Sequence, residues 1–143
     1  MQTTELVEAP AAKTRTKVVI NFPLGLLGFE QIKQYHLLGR QDEAPFLWLQ
    51  RLDDRKWGFL VVCPSDFPFS YEPDIHADDV AFLKLRRPDD AFLLNIVTLS
   101  GEGRPTVNLK GPIVINRHTL IGKQVVPVNA ANFSVQHPLP VAN

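Results

Sequence analysis

Apolar residues in this chain come in short bursts, and within a burst they tend to alternate rather than recur at helical spacing. In residues 17–22, Val18, Ile20 and Phe22 fall on one side of an extended backbone and Lys17, Val19 and Asn21 on the other, the period of two that marks a β-strand. Residues 35–38 read as a short second strand. Residues 46–52 and 57–63 flank Asp53-Asp54-Arg55-Lys56, a polar connector of the length that joins antiparallel strands in a hairpin. In the second arm Trp57, Phe59 and Val61 share one face while Leu60 and Val62 occupy the other. Both faces are apolar, which predicts a strand that is central or covered on its outer side. Residues 91–99 form the clearest strand, with Phe92, Leu94 and Ile96 turned inward, and 106–110, 113–116, 124–128 and 133–136 complete the set. The predicted core is Ile20, Phe22, Phe29, Phe59, Val61, Phe92, Leu94, Ile96, Leu109, Ile113 and Ile115.

Twelve prolines and eight glycines punctuate the chain so evenly that the longest stretch free of both is 74–87, which excludes long helices. Residues 78–83 fit one helical turn, their acidic start Asp78-Asp79 matching the positive end of the helix dipole. Residues 64–73 hold three prolines and read as a loop. Gly28 and Gly111 are expected to serve backbone geometry at positive φ, not partner contact. The fold class that follows is all-β: a small antiparallel β-barrel-like single domain with at most one or two short helical turns. Residues 17–139 form the domain, 1–16 a flexible N-terminal tail and 140–143 a short C-terminal tail.

At 143 residues, 45% of them hydrophobic, the chain suits one core. Fifteen basic residues balance fifteen acidic ones, so the charge excess of a general nucleic-acid binder is absent. The single cysteine, Cys63, permits no internal disulfide and no zinc cluster; it reads as a buried, inert thiol, and a reducing cytoplasm is the expected location. No apolar run approaches a membrane span, and residues 1–16 lack the apolar stretch of a secretion signal. Enzyme signatures are missing as well. Gly122-Lys123 has Arg117 where a phosphate loop needs glycine, Gly101-Glu102-Gly103 lacks a third glycine, and no serine occupies a nucleophile elbow. His36, His76, His118 and His137 are scattered without metal-ligand spacing, so no metal, cofactor or catalytic residue is assigned.

Charge is nevertheless uneven. Between residues 64 and 83 the charged residues are Asp66, Glu72, Asp74, Asp78 and Asp79, with no Lys or Arg. The same stretch carries Phe67, Phe69 and Tyr71, side chains suited to protein interfaces when exposed and to capping a core when folded back. These eight residues are the candidate partner-binding set, the aromatics as anchors and the acids as a source of orientation and negative potential.

Seven motifs then point to a family. Phe22-Pro23-Leu24-Gly25-Leu26-Leu27-Gly28-Phe29-Glu30, Phe46-Leu47-Trp48-Leu49-Gln50, Tyr71-Glu72-Pro73, Ile96-Val97-Thr98, Asn108-Leu109-Lys110-Gly111-Pro112-Ile113-Val114-Ile115-Asn116, Gly122-Lys123-Gln124-Val125-Val126 and His137-Pro138-Leu139 occur in the order seen in the flagellar assembly factor FliW. The resemblance covers 17–139; Leu27 departs from it, standing where a second proline is expected. It implies a cytoplasmic, non-enzymatic, barrel-like β protein that is monomeric when free. The implied partners are CsrA, an RNA-binding translational repressor, and flagellin. Binding CsrA relieves repression of flagellin synthesis; free flagellin captures the factor and lets CsrA repress again. Two other classes compete: a small-ligand-binding or hydrolytic β-barrel, which needs convergent polar groups in a pocket, and a direct RNA binder, which needs exposed aromatics among basic residues. The loop aromatics sit among acids, which ranks RNA binding last.

Overall fold

The computed structural model describes residues 7–8, 16–99 and 103–140. Ten strands lie within them: β1 (Val7–Glu8), β2 (Thr16–Asn21), β3 (Gln34–Gly39), β4 (Phe46–Arg51), β5 (Trp57–Val62), β6 (Ala91–Leu99), β7 (Pro105–Val107), β8 (Ile113–Asn116), β9 (Gly122–Gln124) and β10 (His137–Pro138). Every strand pairing is antiparallel. β2 to β6 pair in sequence order, and beyond β6 the partners are β7 along its second half and β8 along its first, with β9 on β8 and β10 on β7. Directly opposed residues carry the apolar alternation from strand to strand: Ile20 faces Tyr35, Leu37 faces Leu49, Leu49 faces Phe59, Val61 faces Ile96 and Leu94 faces Ile113.

Those residues, with Phe22, Leu26 and Ile115, make the inner core. Phe59 and Tyr35 are fully buried, and Phe29 and Phe92 pack on the core from its margin. The opposite face of β5 and β6 carries a second cluster, Leu60, Val62, Val97, Val107, Leu109 and Leu139, which explains why β5 is apolar on both sides. A third cluster, Leu83, Val114 and Val125, lies outside β8.

The sheet bends toward closure without completing it. β2 and the β8–β9 turn meet through one parallel bridge, Asn21 with Ile121, and a 2.9 Å bond from the Asn21 N–H to the Leu120 carbonyl. β2 then runs into Pro23, which has no N–H to extend a ladder, so the description as a barrel holds only loosely.

Several boundaries differ from the expected ones for identifiable reasons. The strand predicted at 106–110 stops at Val107, because the Asn108 side-chain oxygen accepts the N–H groups of Lys110 and Gly111 and forms a local turn. The strand predicted at 124–128 sits earlier, at Gly122–Gln124; beyond it the Val125 N–H bonds to Pro112, and Pro127 has none to give. Residues 133–136 are not a strand; a 3-10 turn at Ala130–Asn132 precedes them and pairing resumes at His137–Pro138. Helical turns are more numerous than expected. Besides the α-helix α1 (Ala77–Phe82) there are four 3-10 turns, two of them opened by Pro64 and Pro88. Within the segment read as a tail, Val7–Glu8 pairs with Gly58 and Trp57 of β5, and Thr16 already belongs to β2; its other residues lie outside the described ones.

Gly28 adopts φ +87° with open space around it. Gly111 has no positive φ, contrary to expectation. Its constraint is closeness, since an added Cβ would stand 3.0 Å from the Gln124 amide nitrogen, which donates to the Gly111 carbonyl.

Candidate functional site

The acidic segment leaves β5 through the 3-10 turn Pro64–Asp66 and crosses the second apolar cluster before entering α1. Its aromatic residues decide the path. Phe67 and Phe69 stack at 6.0 Å, Phe69 meets the His137 ring edge-on at 4.9 Å, and Tyr71 meets Phe133 in the same way at 4.9 Å. All three are half-buried against Leu60, Val62, Val97 and their neighbours, so they fasten the segment to the sheet while keeping part of each ring exposed.

Polar contacts fasten it further. The Tyr71 hydroxyl donates to the Leu109 carbonyl at 2.6 Å, and Asn95, fully buried on β6, donates to the Tyr71 oxygen at 3.3 Å and to the Asn108 carbonyl at 2.9 Å. Loss of hydration pushes the Tyr71 phenol up to about 12, opposed by the Asn95 bond. Downstream, Asn129 clamps the backbone: its amide nitrogen donates to the Glu72 carbonyl at 3.0 Å, and its oxygen accepts the Asp74 N–H at 2.8 Å. The Val128 N–H closes the junction on the Asp74 carbonyl at 2.7 Å.

With the backbone held, the carboxylates divide. Asp66, Glu72, Asp74 and Asp78 are exposed. Asp79 is buried and paired with Lys123, whose ammonium also lies 5.4 Å from the Phe82 ring centre. The expectation that Asp79 adds to an exterior negative field therefore needs correction: its charge is compensated inside the junction of α1 with β9. Lys123, Asn95 and Asn129 are the residues that sequence reasoning missed. Lys123 and Asn95 carry no local signal, and Asn129 falls between two segments read as strands, with nothing nearby to show that its amide holds the backbone of Glu72 and Asp74.

Burial, reinforced by the Asp66 charge, pushes the Cys63 thiol up, which disfavours the thiolate. His118 pairs with Asp90 at 3.0 Å, and bonds from the Arg86 and Arg87 N–H groups, with that pairing, hold the Asp90 carboxyl low. Among the described residues no group of three or more His, Cys, Asp or Glu is placed to hold a metal, and no helix is long and apolar enough to cross a membrane.

Known proteins resemble this chain in sequence and in fold. The FliW protein family matches residues 1–139. The chain belongs to this family. A relative from Natranaerobius thermophilus, named flagellar assembly factor FliW, is 34% identical over 123 residues, covering 85% of this chain and 81% of its own length. Relatives of the same name from Leptospira interrogans and Clostridium botulinum are 37% and 36% identical over 116 and 121 residues, covering 80% and 84% of this chain and 77% and 85% of theirs. A solved structure described as the crystal structure of the flagellar assembly factor FliW superposes with a TM-score of 0.76 at 32% identity, covering 87% of this chain and 88% of that one. The FliW motifs quoted above supply part of the inner core (Phe22, Leu49, Ile96, Ile113) and the turn residues Gly25, Gly28 and Asn108. They are motifs of fold more than of contact surface.

Proposed function

We propose that this chain acts as a flagellar assembly factor by reversible protein association in the cytoplasm, as a monomer when free, without catalysis. Its partners are CsrA, whose repression of flagellin synthesis it relieves, and flagellin, which withdraws it from CsrA. Membership of the FliW family across residues 1–139 carries this reading. The contact surface is the anchored acidic segment. Asp66, Glu72, Asp74 and Asp78 supply orientation and negative potential, and the exposed parts of Phe67, Phe69 and Tyr71 supply contact area, on a backbone already held by Asn129 and the second apolar cluster.

CsrA presents a basic surface to RNA phosphates, so a bound neighbour with a local negative field disfavours RNA without occupying its site. Screening confines that field to about 8–10 Å at physiological salt, which makes the local charge decisive and the net charge of zero irrelevant. Gel filtration with a cognate CsrA dimer tests the association: a stable complex is expected, and its absence overturns the reading. Replacing Glu72, Asp74 and Asp78 together by Gln and Asn tests the surface. Exclusion of labelled RNA should weaken at low salt with folding intact, and the gap from the parent protein should narrow as salt rises. Undiminished exclusion at every salt concentration would retire the electrostatic role.

A further inference from the structure

Ser65, Phe69 and Tyr71 also form part of a cleft of about 330 Å³, whose other lining residues include Phe92, Leu93 and Arg117. Its aromatic walls and small volume, at the lower end of the range of about 300–1,000 Å³ for small-molecule sites, give room for one or two side chains and not for a folded surface. Arg117 is what gives the cleft a chemical preference. Its Nε donates to the Asp89 carbonyl at 2.6 Å and its Nη2 to the Ala91 carbonyl at 3.2 Å, with the guanidinium carbon 5.9 Å from the Phe92 ring centre.

This head group is exposed yet fixed, and both of its acceptors are neutral. Among the described residues no carboxylate comes within ion-pair distance of it, whereas Arg40 and Arg51 each close on an aspartate, Asp42 at 2.9 Å and Asp53 at 2.7 Å. Asp90, next to the backbone that Arg117 grips, is already engaged by the Arg86 and Arg87 N–H groups and by His118. Nη1 therefore remains for an outside acceptor. Guanidinium with carboxylate is among the stronger hydrogen-bonded pairs, and an arginine immobilised beforehand loses little entropy on using it.

We propose that this cleft binds a peptide segment in which an apolar side chain stands next to a carboxylate, the side chain entering between Phe69, Tyr71 and Phe92 and the carboxylate closing on Arg117. The preference is opposite in charge to that of the exposed acidic row, so the proposal goes beyond the function given above and does not depend on it.

The test is an amide-resolved NMR titration of the full chain with two probes, N-acetyl-Leu-Phe carrying a free carboxylate and the same dipeptide as its carboxamide. The acid should produce saturable shifts at Ser65, Leu93 and Arg117 and bind about tenfold more tightly than the amide. Arg117→Gln should erase the difference between the probes, and Arg117→Lys, which keeps the charge and loses the fork, should restore part of it. Ser65 is exposed, so Ser65→Trp blocks the mouth without touching the core and should abolish binding of both. Equal binding of acid and amide, or no saturable shift at these positions, overturns the proposal. So does a dimer in sedimentation velocity that Ser65→Trp dissolves, which would give the cleft to a second copy of the chain.

Discussion

Asp78 and Asp79 are adjacent on the first turn of α1, and a single substitution elsewhere should reveal how differently they behave. Lys123→Met keeps most of the apolar stem beside Phe82 and removes the charge that compensates Asp79. Breaking a fully buried pair costs about 3–5 kcal/mol because the surviving ion is left without a partner in a poor solvent. Here the side chains are 10% exposed for Asp79 and 27% for Lys123, so water screens part of the loss and about 2–3 kcal/mol is expected. For a domain of this size each kcal/mol lowers the melting temperature by about 3–4 °C, giving a fall of about 10 °C. Asp78→Asn removes an exposed charge from the same turn and should cost no more than about 0.5 kcal/mol, chiefly through the helix dipole. Differential scanning calorimetry of both variants, with the double variant Asp79→Leu/Lys123→Met, reads the contrast, the double variant recovering most of the loss because no charge remains buried. Equal shifts for Asp78→Asn and Lys123→Met, or an unchanged melting temperature for Lys123→Met, would refute the assignment of Asp79 to structure.

The inner core should respond to truncation: Phe59→Ala and Ile96→Ala should cost about 3–5 and 2–5 kcal/mol in urea unfolding, and unchanged midpoints would show the core to be misplaced. Glycines in the first turn should rank by space, Gly25→Ala costing more than Gly28→Ala, since a Cβ at Gly25 would meet Glu30 backbone atoms at 2.5–2.7 Å while Gly28 suffers only its φ. Neither Gly28→Ala nor Gly111→Ala should lose CsrA binding while folding as well as the parent; either result would move that glycine to the contact surface. Tyr71 has a pKa raised above its unfolded value, so the unfolded chain releases its proton first: the contribution of Tyr71 is complete below about pH 10 and is lost between about 10 and 12. Burial pushes the Tyr35 phenol up as well, so Tyr71→Phe should make that alkaline limb of the stability curve shallower without abolishing it, and an unaltered limb would place the whole loss on another group.

The strands were legible where alternation was long and uninterrupted. In β2, β5 and β6 the two-residue period is a property of the extended backbone itself, so Ile20, Phe59 and Ile96 could be assigned to a face before any neighbour was known. Short strands were misplaced because side chains outcompeted the ladder locally, as Asn108 does after β7, or because pairing depended on a distant strand, as at His137–Pro138. The acidic segment was legible as composition, but composition could not say which carboxylates stay in water.

That division was made by contacts between residues far apart in the chain. Lys123 reaches Asp79 across 44 positions, Tyr71 reaches Leu109 across 38, and Asn129 reaches Glu72 across 57. The all-β class, the two apolar faces of β5 and the membership of the FliW family could all be read along the chain, because periodicity, turn chemistry and ordered motifs are local. It took the assembled sheet to show that closure is incomplete, that Asp79 is paired with Lys123 while Asp78 is exposed, and that Arg117 stands over an aromatic cleft with no carboxylate among the described residues within ion-pair distance. Each of these depends on which strand edges meet, and that is settled by the joint packing of three apolar clusters, not by any segment alone.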